Sequence, residues 1–403
     1  MKTISMTLAL LLALAAPARA DAQLAVPGRV NSAPWVAAIG PFVAVAWAAA
    51  SGGKGDIYTA VSRDGGQTFG APVMVNRAAG EARIGGELAP RVALHLEKTG
   101  EPVITVIWNA RDSGTAVRLA RSRDGGHTFD TPTTLQATGA AGDRGWQGLA
   151  VDMEGAPHAI WLDHRQMAAV KDGEHKGEHD GVAMAQRSAL YYRGRGPERE
   201  LFKGVCYCCK TAIAAGPKGE IVAAWRHVFA GNFRDMGFTI SRDGGRSFSP
   251  LVRVSEDGWS IAGCPDDGPA IAIDSSSMVH LAWPTLLNGN EGAILYATSR
   301  DGESFSRPVR VPTLGAPKPS HPFITIDRRG RAVVTWDEIR NGVRTAVMRR
   351  SIVPQSATFG EAEILDDKEP AMYPVTAVAS SGLVVAWTSG PPQSSRIKVR
   401  VIE

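Results

Sequence analysis

The chain of 403 residues has few of the features that would commit it to a nucleic acid or a membrane. Its 44 Lys and Arg nearly balance 40 Asp and Glu, and no basic run is present, which argues against a polyanion or membrane-surface partner. Past the first 20 residues no segment approaches the ~20 apolar residues of a spanning helix. Cysteine is scarce, with four residues in two places, and none stands directly after the leader, which argues against a lipid anchor at the new N-terminus.

The leader itself reads as a secretion signal over residues 1–20. Lys2 supplies the charged start, Met6 to Ala16 the apolar run, and Ala18-Arg19-Ala20 a small-x-small cleavage site. The expectation is a soluble exported chain, periplasmic or secreted, with residues 21–403 forming one domain. Glycine (44) and proline (25) are plentiful and call for many turns, while 44% hydrophobic residues suffice for a large core.

Three octapeptides repeat almost unchanged: Ser62 to Phe69 (SRDGGQTF), Ser122 to Phe129 (SRDGGHTF) and Ser241 to Phe248 (SRDGGRSF). A fourth, Ser299 to Phe305, is one residue shorter. Ser and Asp can hydrogen-bond the turn backbone, the glycines supply positive φ, and the aromatic plugs back under the hairpin. Each copy therefore predicts a tight turn between two strands, and the recurrence predicts a fold built of repeats.

A second word recurs, an apolar strand ending in Trp: FVAVAW (Trp47), VITVIW (Trp108), PHAIW (Trp161), IVAAW (Trp225), VHLAW (Trp283), AVVTW (Trp336) and LVVAW (Trp387). A short strand precedes each, and a third and a fourth follow. Alternating apolar residues bounded by Gly, Pro and Asp are strand signals. Four antiparallel strands per ~50 residues predict an all-β fold, a β-propeller. Seven blades are expected, with six the alternative. The last repeat lacks a fourth strand, and Leu24 to Asn31 resembles Ala71 to Asn76 closely enough to supply it and close the ring.

Strand order places the start of each first strand and the end of each second strand on one face, opposite the octapeptide turns. That face collects Asn109, Arg111, Asp112, Asp163, His164, Arg165, Arg226, His227, Arg234, Asp235, Asp337, Glu338 and Arg340 after the tryptophans. Before the first strands it collects Glu87, Arg91, Arg144, Trp146, Gln147, Lys210, Asp266, Asp267, His321 and Tyr373. Single charges at strand ends are normally solvated, but convergence on one concave rim predicts a ligand-binding face.

The octapeptide S-x-D-G-G-x-[ST]-F is similar to the Asp-box, and an Asp-box propeller resembles the sialidase superfamily over essentially the whole mature chain. The resemblance implies a carbohydrate-directed protein, either a sialidase-like glycoside hydrolase or a lectin, with a small molecule or glycan as ligand. It implies an arginine clamp for a substrate carboxylate, drawn from Arg111, Arg165, Arg226 and Arg340. It also implies Tyr373 as nucleophile and Asp112 or Asp163 as acid. No Glu is placed opposite Tyr373 by motif.

The cysteines suggest other chemistry. Cys206, Cys208 and Cys209 precede the first strand of the fourth repeat, and Cys264 precedes that of the fifth, so they are expected to cluster. One reading is a disulfide from Cys264 to the 206–209 group. The other is a copper or zinc site, or a redox centre, using Cys206, Cys208, Cys209 and Cys264 with His227 and His164. A third possibility is a scaffold for a protein partner, with the cysteines as staples. The acidic, His-containing stretch 171–180, with His175 and His179, reads as a solvated loop over the channel.

Overall fold

The tryptophan words form the second strand of every blade, and all seven indoles are buried between neighbouring sheets at no more than 1% exposure. A computed structural model describes residues 21–403 except Thr99, Asp112, Ser113, Thr138, Ala140, 168–179, Ala262, Cys264, Ala316, Pro317 and Glu403. Seven four-stranded antiparallel sheets stand in a ring, so the seven-bladed reading holds and the six-bladed one does not. The first strands of blades 1 to 7 are Val30–Ile39, Arg91–His95, Arg144–Val151, Ala212–Ala215, Ala270–Ile273, Ser320–Ile326 and Ala371–Ala379. Among the described residues the one α-helix is Asp180–Arg187, which starts at the end of the 171–180 stretch; His175 and His179 lie outside the described residues.

The second strands are apolar along most of their length because each is covered on both faces by an adjacent blade. The buried apolar residues fall into one cluster per blade boundary, including one joining blade 7 to blade 1. Loss of a buried Trp side chain from such a boundary costs about 3–5 kcal/mol. Most indole N–H groups are capped by a nearby polar side chain. Trp161 donates to Asp163 (3.1 Å), Trp225 to His227 Nδ1 (3.2 Å) and Trp336 to Glu338 (2.7 Å).

The ring closes through the N-terminus, as the sequence predicts, but with an earlier segment. Ala22–Leu24 pairs with Arg396–Ile402 and completes blade 7. Asp21 reinforces the seam by accepting two hydrogen bonds from Arg400, at 2.7 and 2.8 Å. The residues that follow turn away at Gly28 (φ 71°), and Val30 and Asn31 open blade 1 instead. The Asn31 side chain accepts from Val26 N (2.8 Å) and from the Trp47 indole (2.9 Å), which fixes the turn.

The octapeptides make the expected tight turns, on the face away from the strand starts discussed below. In the first, Ser62 Oγ donates to Asp64 (2.7 Å) and accepts from Gly66 N (2.8 Å). Asp64 also accepts from the amides of Gln67 and Thr68, each at 2.9 Å. Gly65 and Gly66 take φ of 79° and 92°, conformations that side chains resist. Burial works against ionisation of Asp64 and Asp124, but the hydroxyl and amide donors outweigh it. Asp64, Asp124, Asp243 and Asp301 are therefore all held well below the usual carboxylate range. A carboxyl depressed on folding stabilises above the unfolded value near pH 4, and that contribution is lost as pH falls. Thermal melts should show Tm dropping between about pH 4 and pH 2, with a shallower slope in Asp243→Asn. Equal slopes would show that the turn carboxylate does not contribute.

Candidate functional site

Four of the seven first strands begin with a bulge on the same face. Register shifts occur between Ser32 and Trp35, Gly145 and Gly148, Ser320 and Phe323, and Met372 and Val375. In each bulge a non-glycine residue has positive φ: Ala33 (52°), Trp146 (52°), His321 (56°) and Tyr373 (54°). Such backbone costs on the order of 1–3 kcal/mol per residue and re-aims the side chain. Here it turns His321 and Tyr373 toward each other at the channel mouth, with ring centroids 4.2 Å apart.

Three buried carboxylates then tie the blades together around that mouth. Glu87, before blade 2, accepts from Lys210 N of blade 4 (2.8 Å). Asp267 of blade 5 accepts from His321 N of blade 6 (2.8 Å). Asp337 of blade 6 accepts from Tyr373 N of blade 7 (2.8 Å), and the same oxygen meets His321 Nδ1 at 2.8 Å. The Lys210 ammonium lies 3.6 Å from Glu87 and 3.5 Å from Asp267, and Arg344 pairs with Asp337. The cluster draws on blades 2, 4, 5, 6 and 7 through backbone as well as side chains, so its geometry is set by the closed ring.

Burial and charge perturb these groups in opposite directions. Burial pushes the Glu87 carboxyl up, and Asp267 adds to this, while Lys210 and His321 offset only part of it. Burial alone would lower the His321 imidazole, but Asp337, Asp267 and Glu87 raise it above its ordinary value. For Asp337, burial works upward, and His321 and Arg344 more than reverse it. Burial, reinforced by Asp337 and Glu87, raises the Tyr373 phenol above its ordinary range, so the hydroxyl keeps its proton.

Beneath the cluster is a cavity of about 30 Å³, lined by Glu87, Arg91, Lys210, His321 and Tyr373 over Trp35 and Phe323. That is room for one or two waters or a single small polar group. The Tyr373 ring crosses Gly86 so closely that a Cβ there would lie 1.9 Å from the phenol oxygen. A larger cleft, about 730 Å³, opens among the turns of the opposite face. Most of its charged residues are occupied with each other and with backbone, as in Arg195 with Asp152 (2.9 Å) and Glu154 (2.6 Å). The channel mouth is the site with convergent reactive groups.

The residues singled out from sequence divide into distinct positions. Tyr373 is in the cluster. Asp163 is buried, accepts from Trp161, Arg144 and Arg165, and braces the blade. Arg165 pairs with Asp163 and Glu198 and lies over Tyr191. Arg226 is 1% exposed and donates to the carbonyls of Asp267 (3.2 Å), Arg234 (2.8 Å) and Pro284 (2.7 Å). Arg111 and Arg340 are exposed at strand ends, and Asp112 lies outside the described residues. The four arginines are thus held in separate settings. Glu87 lines the same small cavity as Tyr373.

Glu87, Lys210, Asp267, His321 and Asp337 were on the rim by register, but nothing in the sequence ranked them above their neighbours. A usable signal was the recurring x-Pro step at strand starts: Ala33-Pro34, His321-Pro322 and Tyr373-Pro374. Proline before an apolar inner-strand residue marks three of the four bulges; the one at Trp146 has Gln147 there instead. Arg344 had no such signal, because it enters from a third strand.

The cysteines lie beside this cluster, directly before Lys210. Their sulfurs form a buried triangle: Cys206 to Cys208 3.9 Å, Cys208 to Cys209 4.0 Å and Cys209 to Cys206 3.6 Å. Cys208 is disulfide-bonded, whereas Cys206 and Cys209 are free; Cys264 lies outside the described residues. The Cys209 thiol donates to Cys206, and with Arg234 and Arg226 nearby the Cys206 thiol is lowered to about 7 despite burial. Burial and the neighbouring Cys206 raise Cys209 instead. Among the described residues the metal-compatible group contains these three sulfurs and neither histidine. His227 caps Trp225, and His164 packs on Trp146 at 5.4 Å; burial lowers both to about 4.

No protein-family model matches this chain, and no curated protein matches it in sequence. Solved structures do match its fold. A protein of unknown function from Dyadobacter fermentans is 14% identical with a TM-score of 0.54, covering 95% of this chain and 98% of its own. An ulvan lyase, a polysaccharide lyase bound to an oligosaccharide of GlcA and sulfated Rha, is 11% identical with a TM-score of 0.56 (94% and 96%). A Hadza microbial sialidase is 13% identical with a TM-score of 0.52 (87% and 74%). The chain therefore has the propeller fold found in sialidases and in a polysaccharide lyase.

Proposed function

We propose that this protein is a carbohydrate-directed enzyme that takes the terminal acidic sugar of a glycan at the channel mouth. The observation that carries the reading is that Tyr373 and Glu87 line one small buried cavity together with the cation Lys210 and with His321. A phenol that keeps its proton needs a neighbouring base, and a carboxyl raised above its ordinary value by burial is a stronger base than a solvated one. Glu87 would take the proton as the Tyr373 oxygen attacks the anomeric carbon, the nucleophile type of sialidases. Lys210, His321 and Arg344 supply positive charge for a substrate carboxylate. The small cavity below admits one group of the sugar, and the remainder would rest on the open face, which favours cleavage at a chain end.

Fluorogenic sialosides and uronides, together with acidic oligosaccharides, test this directly. Release of a terminal acidic sugar by the wild-type chain, reduced by about 100-fold or more in Glu87→Gln, is the expected result. Binding without turnover in both proteins would identify a lectin. Neither binding nor turnover on any acidic glycan would overturn the proposal.

A further inference from the structure

The cysteine triangle has features that the carbohydrate reading does not use. Three sulfurs stand 3.6, 3.9 and 4.0 Å apart, with exposures of 1%, 7% and 2% for Cys206, Cys208 and Cys209. A metal bound ~2.3 Å from each of three thiolates places them ~4.0 Å apart in a trigonal plane and ~3.8 Å apart in a tetrahedron. The spacing suits either geometry without rearrangement.

Two buried arginines decide the charge of the occupant. Arg226 and Arg234 are 1% and 0% exposed, and neither pairs with a carboxylate among the described residues. Arg226 is bound by three carbonyls. Arg234 donates to Cys206 Sγ (3.5 Å) and Ile261 O (3.1 Å), and its Nε has no partner. Buried guanidinium groups require compensating negative charge. Three thiolates holding one monovalent cation retain two negative charges, which match the two arginines.

We propose that Cys206, Cys208 and Cys209 form a redox-gated binding site for a soft monovalent metal ion, Cu(I). Thiolate sulfur is the preferred donor for that ion. With Cys208 in its disulfide only two thiols are available, and the three-sulfur site is incomplete. A dithiol reductant passes two electrons and two protons to the disulfide, is itself oxidised to a disulfide, and frees the Cys208 thiol. Cu(I) then binds the three sulfurs, and their protons leave to solvent. Trp146, Tyr207 and Val228 cover the triangle and shield the ion from water.

The test is an anaerobic titration of the reduced full chain with Cu(I) against a chromophoric Cu(I) chelator, repeated with Zn(II). One Cu(I) per chain is expected in the reduced protein, weaker binding in the oxidised protein, and none above background in the Cys206→Ser/Cys209→Ser variant. Arg234→Gln should weaken binding by about 10–100-fold, as a residue beside a metal ligand does. Equal Cu(I) binding by oxidised and reduced protein would overturn the gating. Reduced protein that binds no more than the serine variant, or that takes Zn(II) in preference, would overturn the site as a Cu(I) site. Should the serine variant not fold, alkylation of the wild-type thiols replaces it: Cu(I) must slow modification of Cys206 and Cys209, and unchanged rates refute the proposal.

Discussion

Replacing Tyr373 by Phe is expected to lower kcat on the acidic glycan by about 10²–10⁴-fold while leaving KM within a few-fold. The substitution removes one oxygen and keeps the ring that packs on His321 at 4.2 Å. It also keeps the backbone amide that donates to Asp337 at 2.8 Å. The bulge should therefore survive, with an unchanged circular dichroism spectrum and Tm. A residue that only shaped the pocket would change KM as much as kcat. Retention of full turnover in Tyr373→Phe would remove this tyrosine from the chemistry.

Lys210→Met should produce the largest stability loss among the site variants. The ammonium is the shared cation of Glu87 and Asp267, and all three side chains are at least nine-tenths buried. Breaking a buried ion pair by removing one partner typically costs about 3–5 kcal/mol, because the stranded charge has no water to solvate it. For a chain of this length the per-residue unfolding entropy converts that to a Tm fall of about 4–6 °C. The double variant Lys210→Met/Glu87→Gln should recover part of the loss, since one of the two stranded carboxylates is then gone. A Lys210→Met melt superimposable on wild type would mean that the channel mouth is more hydrated than its burial indicates.

Legibility of the fold and of the site differed for a physical reason. Trp47, Trp108 and their five counterparts report local patterning, because an apolar strand covered on both faces must be apolar along its length whatever its neighbours are. The octapeptide turns are similarly local: Ser62, Asp64 and Gly66 satisfy each other within five residues. Such signals survive in one dimension. Asp163 and His227 looked reactive for the same reason that they are structural, since a polar residue two positions past a strand-ending Trp is placed to cap its indole. The sequence pattern alone does not separate a cap from a catalyst.

The site depends on contacts between residues far apart in the chain. Glu87 meets Lys210 across 123 positions, and Asp267 meets His321 across 54. The sequence by itself determined a ring of four-stranded blades, with seven favoured over six, its register and the face on which polar groups gather, because these follow from periodicity and turn chemistry. Only the tertiary structure decided which of those groups meet. Ring closure by Ala22–Leu24 and the positive-φ bulges at His321 and Tyr373 set the angles at which the blades present their side chains. Those angles placed Glu87 beside Tyr373, held Arg226 away from solvent and gathered three sulfurs into one triangle.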